Sequence, residues 1–373
     1  MKDFIIIGAG ILGASTAYHL VKAGANVTVI DREEPGQASD AAAGIICPWL
    51  SQRRNKAWYE LAKGGAAYYE KLIQQLENEG ETKTGYRKVG AVSLHTDRAK
   101  LNKMEERVID RKKHANEIGD IRKLTSLETS ALFPPLSNEF ESIQISGAAR
   151  VNGRELVNAL INAAKRLGAN FINGSAELLH SNNEVTGVRV GNEEYHADKV
   201  LVTAGAWAGE LLAPLGINLQ VKGQKAQIAH LQLDNNSTEN WPVVMPPSNQ
   251  YILAFDNGRI VIGATHEDDM EYNHKVTAGG LHEIFDKAIS IAPGLAEGEF
   301  IEARVGFRPF TPNFLPIIGE VPNINGLVLA NGLGASGLTI GPYLGAQLSK
   351  LALGEKLDID LDLYDVSTAI SSY

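Results

Sequence analysis

The sequence predicts a mixed α/β fold, α+β overall, in which a unit wound around a parallel sheet is joined to a second unit built on an antiparallel sheet. Three observations support this prediction. An apolar run, a glycine-rich turn, a helical stretch and a second apolar run follow one another within residues 4–31. The same order of strand, glycine-rich turn and helix returns in residues 326–353. Between them, residues 221–263 contain short apolar runs separated by turn residues, as antiparallel hairpins do.

Residues 4–31 have the pattern of a dinucleotide-binding strand, turn, helix and strand. Gly8 permits a tight turn, Gly10 removes the Cβ that would block a pyrophosphate, and Gly13 lets the helix lie close to the sheet. The helix N-terminus then offers unpaired N–H groups to phosphates. Asp31 ends the second strand, where a carboxylate can accept hydrogen bonds from ribose hydroxyls. The alternative is a glycine-rich turn without a ligand.

Length, composition and charge limit the classes of protein. The 373 residues suffice for two or three domains, and the net charge of −9 argues against nucleic-acid or anionic-membrane partners. No run of 18 or more apolar residues is present, so no transmembrane segment is predicted. The single cysteine, Cys47, excludes an internal disulfide and multi-cysteine metal sites. We therefore expect a cytoplasmic protein without a metal, and peripheral membrane association stays open.

The first half of the chain is predicted to alternate helices and strands. A run of small side chains, residues 38–44, would permit close approach by a bulky group, or else tight packing of helix on helix; Ser39 or Asp40 would cap a helix there. The remaining predictions are helices over 56–79 and 97–117, a strand pair over 85–95, a strand over 142–151, and an amphipathic helix after Asn152-Gly153 that ends at Gly168.

The second half is predicted to carry more strands. A hairpin turns at Asp256-Asn257-Gly258, between the runs 251–253 and 260–262. The other predicted elements are strands near 170–179, 185–190, 199–203, 300–307 and 326–330, a glycine turn and helix at 204–207, and helices over 277–291 and 338–353. Because the last helix follows the glycine turn 332–337, its N-terminus is expected to face the same ligand as the first.

Five motifs in order resemble one known family. They are Gly8-Ala9-Gly10-Ile11-Leu12-Gly13, Ser39 to Gly44, Val202 to Trp207, Gly306-Phe307-Arg308-Pro309 with Thr311-Pro312, and Gly332 to Gly337. Together they resemble the FAD-dependent D-amino acid oxidase superfamily, and most of all its glycine oxidase branch. The resemblance covers nearly the whole chain.

The resemblance implies a Rossmann-like FAD-binding domain and a discontinuous substrate domain. The FAD-binding domain would comprise residues 1–82, 146–219 and 308–373, and the substrate domain residues 83–145 and 220–307. FAD would be non-covalent, since this chain lacks the cysteine through which some relatives attach it. The implied cofactor-binding residues are Gly8, Gly10, Ile11, Leu12, Gly13, Asp31, Arg32, Ser39, Ala42, Ala43, Gly44, Ala176, Ala204, Gly205, Trp207, Arg308, Gly334, Ala335, Ser336, Gly337, Leu338 and Thr339.

The implied reaction is oxidation of the C–N bond of a small amino acid or secondary amine acid, such as a D-amino acid, glycine, sarcosine or a proline-like acid. The substrate would give a hydride to the flavin and leave as an imine that water hydrolyses. Arg308 matches the family's carboxylate-binding arginine, whose guanidinium suits two parallel hydrogen bonds. Tyr251 matches the tyrosine that helps to hold the carboxylate, and His266 is a candidate for the substrate wall. The alternatives are an interdomain salt bridge for Arg308, a half-buried strand aromatic for Tyr251 and a structural histidine for His266.

One position departs from the glycine oxidase pattern. That pattern carries a second arginine in the C-terminal glycine turn, where this chain has Ala335. With Arg308 alone, glycine itself is disfavoured, and Ala335 leaves room for a larger or N-substituted amine.

Two other functions stay open from the sequence. An NAD-linked dehydrogenase would share only the N-terminal unit, and a flavin-binding electron-transfer subunit would lack a substrate of its own. The sequence does not decide whether dioxygen or another acceptor reoxidises the flavin, nor whether the chain forms a homo-oligomer.

Overall fold

The computed structural model describes residues 2–234, 237–268 and 271–371. Its α-helices are α1 (Ile11–Lys22), α2 (Lys56–Asn78), α3 (Arg98–Lys112), α4 (Ser126–Leu132), α5 (Gly153–Arg166), α6 (Ala208–Leu212), α7 (Ala278–Ile291) and α8 (Gly337–Leu353). All but α4 were predicted from the sequence. Side chains cap several N-termini, as at α5, where the Asn152 carboxamide oxygen accepts hydrogen bonds from the N–H groups of Arg154 and Glu155.

A six-stranded sheet carries both glycine turns. Its strands lie in the order Ile317–Glu320, Leu327–Asn331, Lys199–Val202, Asp3–Ile7, Asn26–Asp31 and Asn170–Asn173. All neighbours are parallel except the first pair. On the central strand, Phe4 and Ile6 pack among helices α1, α5 and α8, while Ile5 and Ile7 pack on the opposite face. Because both faces are covered, the strand is an uninterrupted apolar run.

The second large sheet has eight strands. Their order is Glu299–Phe310, Lys222–Gln232, Arg259–Gly263, Tyr251–Ala254, Val243–Met245, Ala91–His95, Glu141–Ile145 and Ile121–Leu124. Val243–Met245 runs parallel to Ala91–His95, and the other pairs are antiparallel. The predicted hairpin is confirmed, since Ile252 lies opposite Ile262. Helix α7 packs on this sheet through Ile284 and Ala288.

Smaller sheets correct two strand predictions. They consist of Ala176–Ser181, Glu184–Val190 and Glu193–His196; of Ile45–Ile46, Ala149–Arg150 and Arg87–Lys88; and of Asn218–Leu219 with Ile370–Ser371. The prediction that residues 85–95 form a strand pair was wrong, because their two strands join different sheets. The strand predicted over 142–151 is broken at residues 146–148, where Gly147 packs against the backbone of Glu117.

The two large sheets divide the chain in the way the domain prediction expects, with one exception. Every strand of the six-stranded sheet falls within residues 1–82, 146–219 or 308–373. The eight-stranded sheet falls within the other two segments, except that Glu299–Phe310 continues past residue 307. The domain limits themselves stay a prediction.

Across the described ranges, no helix is both long enough and apolar enough to span a bilayer.

Candidate active site

A cavity of about 700 Å³ lies where the glycine turns of the six-stranded sheet meet the eight-stranded sheet. Among the residues that the sequence suggested for cofactor or substrate, all except Gly13 line it. The cavity therefore brings together residues from both ends and from the middle of the chain.

The first glycine turn has the backbone geometry that its sequence predicts. Gly8 has a φ of +101°, which L side chains rarely adopt, and its N–H donates to the carbonyl of Ile30 at 2.8 Å. A Cβ on Gly13 would lie 1.8 Å from the Gly8 carbonyl oxygen and 2.6 Å from Thr203 Oγ1. Gly13 thus contributes close packing of α1 against the turn instead of a surface for a ligand.

Two long helices begin at the cavity wall. Gly10 and Ile11 open α1, and Ser336 and Gly337 open α8. Neither first turn contains an acidic residue, so the positive ends of both helix dipoles face the cavity without a charged side chain to neutralise them.

The small residues at 38–44 form turns, so the predicted helix cap at Ser39 or Asp40 was wrong. The reason is that both side chains bind elsewhere in the fold. Ser39 Oγ accepts a hydrogen bond from the Ile11 N–H at 3.0 Å, across 28 residues. Asp40 pairs with Arg154, whose Nη2 lies 2.8 Å from Asp40 Oδ2. Ala42, Ala43 and Gly44 line the cavity.

Asp31 is held by hydrogen-bond donors at one end of the cavity. Its carboxylate accepts from the N–H groups of Ala9 at 2.5 Å and Glu33 at 2.6 Å, and from Gln37 Nε2 at 3.0 Å. The neighbouring Arg32 is neutralised by two carboxylates, with Nε 2.7 Å from Glu34 and Nη2 3.4 Å from Glu210.

Arg308 occupies the other end and has no carboxylate partner in the part of the chain that the structure describes. Its Nη1 donates to Gln224 Oε1 at 3.4 Å, and Gln224 lies opposite it in the strand pair. Gln224 Nε2 in turn donates to Asp268 at 2.7 Å. Unlike Arg32, the guanidinium of Arg308 therefore keeps N–H groups for an anion in the cavity.

Tyr251 and His266 lie close enough to Arg308 for its charge to shift their pKa values. Burial raises the pKa of the Tyr251 hydroxyl, and the Arg308 guanidinium opposes this rise. Desolvation, followed by the charge of Arg308, lowers the pKa of His266, so the imidazole is neutral at pH 7. Its Nδ1 lies 3.1 Å from Asn249 Nδ2. With that amide donating, the ring proton is on Nε2.

Cys47 is buried in the cavity wall, as the sequence suggested for a small apolar residue. Burial raises the pKa of its thiol to about 12. The thiol is therefore protonated at neutral pH and is a poor nucleophile.

Sequence reasoning missed several polar residues that line the cavity or contact its wall. Gln37 contacts Asp31, Gln224 contacts Arg308, and residues 248–250 enter the cavity just before the strand that begins at Tyr251. The turn residues Pro246-Pro247-Ser248-Asn249 signalled a loop next to a candidate residue. No sequence pattern signalled Gln224, because its register with Arg308 exists only in the sheet.

Comparisons with known proteins agree with this geometry. The family model described as FAD dependent oxidoreductase matches residues 3–351. A Bacillus subtilis protein named uncharacterized oxidoreductase YurR is 62% identical over 372 residues, covering 100% of both chains. Glycine oxidase from Pseudomonas aeruginosa is 30% identical over 361 residues, covering 95% of this chain and 96% of that one. The solved structure of iminodiacetate oxidase from Chelativorans sp. BNC1 has a TM-score of 0.95 and 45% identity, covering 97% of this chain and 98% of that one.

These matches confirm the resemblance that the five motifs indicated, and with it the mixed α/β fold, the oxidoreductase class and FAD as the cofactor. The chain belongs to the FAD-dependent oxidoreductase family.

Proposed function

We propose that this enzyme oxidises the C–N bond of a small amino acid whose nitrogen carries a substituent, with Arg308 binding the carboxylate. The observation that carries the proposal is the guanidinium of Arg308 in the cavity wall, which has no carboxylate partner among the described residues and lies beside Tyr251 and His266. An arginine without a carboxylate partner in a largely apolar cavity is suited to a ligand that brings its own carboxylate.

The residues of the cavity fit a non-covalently bound FAD. A Cβ built on Gly10 would meet only Ser39 Oγ, at 3.4 Å, so a pyrophosphate could approach the backbone there. The N-termini of α1 and α8 would stabilise the phosphates, and Asp31 would accept hydrogen bonds from the ribose. The protonated thiol of Cys47 does not favour a covalent link. When bound, FAD supplies the acceptor for the two electrons of the C–N bond.

The protein's own part is to bind, orient and desolvate the substrate. Arg308 would hold both carboxylate oxygens in parallel hydrogen bonds, and Tyr251 would donate its hydroxyl proton to one of them. Because the pKa of Tyr251 is raised, this hydroxyl is protonated at neutral pH. Fixing the carboxylate at two points restricts how the neighbouring C–H and nitrogen can turn.

His266 would form an uncharged part of the cavity wall beside Arg308. Its lowered pKa prevents a second positive charge beside Arg308. A neutral imidazole does not repel the positively charged nitrogen of an amino acid that enters the cavity.

The substituted amine is favoured by Ala335 and by one relative. Ala335 lines the cavity with a single methyl group, where an arginine would occupy space and supply a second cation. Iminodiacetate oxidase, whose name specifies a glycine with a carboxymethyl group on nitrogen, is 45% identical to this chain. We therefore place N-substituted glycines ahead of glycine and of primary D-amino acids.

The test is anaerobic mixing of the purified yellow enzyme with iminodiacetate, sarcosine, glycine, D-alanine and D-proline. Bleaching of the flavin absorbance should be fastest with an N-substituted glycine. Faster bleaching with glycine would contradict the role given to Ala335. If no amine bleaches the flavin, the electron-transfer subunit becomes the better assignment.

Two further points stay with the proposal. Readmission of air after bleaching distinguishes dioxygen from another electron acceptor, because only an oxidase regains its colour promptly. A cytoplasmic location stays a prediction from the sequence.

A further inference from the structure

A second cleft, of about 610 Å³, lies at the start of α2 and concentrates positive charge. Its cations are Arg53, Arg54, Lys56, Arg107 and Arg111, whereas Glu60 is its one carboxylate among the described residues. The whole chain carries a net charge of −9, so this surface is opposite in sign to the rest of the protein.

These five cations form no ion pair with any carboxylate in the described parts of the chain. Elsewhere in the protein, exposed arginines such as Arg98, Arg154 and Arg189 are matched to glutamate or aspartate. In the cleft, Glu60 is already engaged by Lys63 at 2.6 Å. The positive charge is therefore left for a partner that the chain does not supply.

Two of the arginines are fixed by the backbone. Arg111 Nη1 donates to the carbonyls of Trp49 at 2.6 Å and Ser51 at 2.7 Å, and its guanidinium lies 4.5 Å from the centre of the Tyr59 ring. Arg53 donates to the carbonyl of Phe314 and stacks at 4.7 Å on the ring of Trp58. These contacts hold two guanidinium groups in place before any ligand arrives, which lowers the entropy cost of binding.

Crowding of the cations is unfavourable in the unliganded protein. Burial, and after it the charge of Arg107, lowers the pKa of Arg111. The N-terminus of α2 adds the positive end of a 23-residue helix dipole, and its first turn contains no acidic residue. A multivalent anion would relieve both sources of repulsion.

We propose that this cleft binds a small multivalent oxyanion carrying phosphate or carboxylate groups. Arg53 and Arg111 would provide the fixed guanidinium groups, and Arg54, Lys56 and Arg107 would close around the ligand from the α2 and α3 sides. This inference does not depend on the proposed substrate.

The cleft adjoins the main cavity but is separate from it. Trp58 lies between them: its ring stacks on Arg53, and its Nε1 donates at 3.0 Å to Ser336 Oγ in the cavity wall. An anion in the cleft therefore does not compete for the Arg308 site.

The experiment is calorimetric titration of the FAD-loaded enzyme with pyrophosphate and, separately, with citrate at low ionic strength. The test variant is Arg54→Gln/Lys56→Gln/Arg107→Gln, whose side chains form no hydrogen bond with the residues that the structure describes. Because each of the three substitutions removes a charge-assisted contact, Kd should rise about a thousandfold, roughly tenfold per contact. Binding of only one of the two anions identifies whether phosphate or carboxylate chemistry is recognised.

The matched control is Lys100→Gln/Lys103→Gln/Lys113→Gln, which removes the same charge from exposed lysines on or next to α3. Its Kd should change by less than about threefold, and Arg308→Ala should bind the anion as the wild type does. Equal losses in both triple variants, loss in Arg308→Ala, or no binding to the wild type would overturn the proposal. If the triple variant loses FAD or folds poorly, Arg54→Gln alone, on an exposed side chain, should still weaken binding about tenfold.

Discussion

The two ends of the main cavity are built in different ways. At the dinucleotide end, the groups that would meet the ligand are backbone N–H groups and one carboxylate from residues 8–44, together with the start of α8. At the substrate end they are the side chains of Arg308, Tyr251 and His266. Arg308 and Tyr251 lie on strands of the eight-stranded sheet, and His266 follows the strand Arg259–Gly263.

The charges differ as well. Asp31 accepts three hydrogen bonds from protein donors and Arg32 is paired with two carboxylates, whereas the guanidinium of Arg308 has no carboxylate partner among the described residues. An end built from backbone groups requires glycine at a few positions and tolerates most other substitutions. An end built from side chains can change its substrate specificity through a single substitution.

The largest effect is expected at the substrate end. Arg308→Ala leaves the substrate carboxylate unpaired, which typically costs about 2 to 5 kcal/mol, or roughly a thirtyfold to several-thousandfold fall in the bimolecular rate of flavin reduction. Arg308→Lys keeps the charge but loses the two parallel hydrogen bonds, and its rate of flavin reduction should fall by a factor between the same two limits. Anaerobic stopped-flow measures the rate, and FAD content should stay normal.

The other charged arginine of the wall provides the control. Arg32→Ala removes a guanidinium that is already paired with Glu34 and Glu210, so flavin reduction should change by less than about threefold. If Arg308→Ala reduces as fast as the wild type, the substrate end is misassigned.

At the dinucleotide end, Gly13→Ala should be the most damaging small change. The added methyl would lie 1.8 Å from the Gly8 carbonyl, and backbone cannot move aside as a flexible side chain can. We expect a loss of about 3 kcal/mol in the free energy of unfolding, with FAD content reduced. Gly279→Ala, near the start of α7, is the control, because a Cβ at this position meets no atom of the described residues within 4 Å. Urea denaturation should show that variant unchanged or slightly more stable, and equal losses in both would contradict the packing argument.

Asp31→Asn should weaken FAD binding without changing the fold. Loss of charge-assisted hydrogen bonds to the ribose should cost about 1.5 to 3 kcal/mol of cofactor affinity. Asp198→Asn is matched to it, since Asp198 also accepts a backbone N–H, that of Asp3 at 2.8 Å, at the start of the central strand Asp3–Ile7. When the apoprotein is titrated with FAD, the Kd of Asp31→Asn should exceed that of Asp198→Asn by at least roughly tenfold. Equal Kd values would contradict the proposal that Asp31 binds the ribose.

The smallest effect concerns His266 and pH. Because its folded-state pKa lies below 6.5, the imidazole is neutral in the folded and unfolded chains above that pH and contributes no pH dependence to stability there. As the pH falls below 6.5, the unfolded chain binds the proton before the folded chain does. Protonation of His266 therefore lowers the free energy of unfolding in that range. Flavin reduction by the wild type and His266→Gln should therefore follow the same pH profile between pH 6.5 and 9, within about threefold. If the wild-type rate changes with pH in this range and His266→Gln removes that change, the imidazole titrates there and the prediction is contradicted.

Most helices and many strands could be predicted because their signals are local. Asn152 before an amphipathic run marks the start of α5, and Asp256-Asn257-Gly258 marks a hairpin turn. Short segments without strong periodicity were missed, such as Ile121–Leu124 and α4. Their conformation depends on the sheet or helix against which they pack.

The sequence alone predicted the first glycine turn of this protein and the strands and helix that surround it. The spacing of Gly8, Gly10 and Gly13 and the placement of Asp31 act through backbone geometry within one strand, turn and helix, so no distant contact is needed to specify them. The five ordered motifs likewise identified the family.

Only the tertiary structure decided the partners of these residues. Ser39 Oγ accepts the Ile11 N–H across 28 residues, and Gln224 meets Arg308 because strands whose residues lie 84 positions apart pair in one register. The cationic cleft forms from side chains at the start of α2 and on α3. Such contacts join side chains that are remote in the chain, and their energies depend on the burial and charge around them. No local pattern of residues carries that information, because it arises only when the sheets and helices pack together.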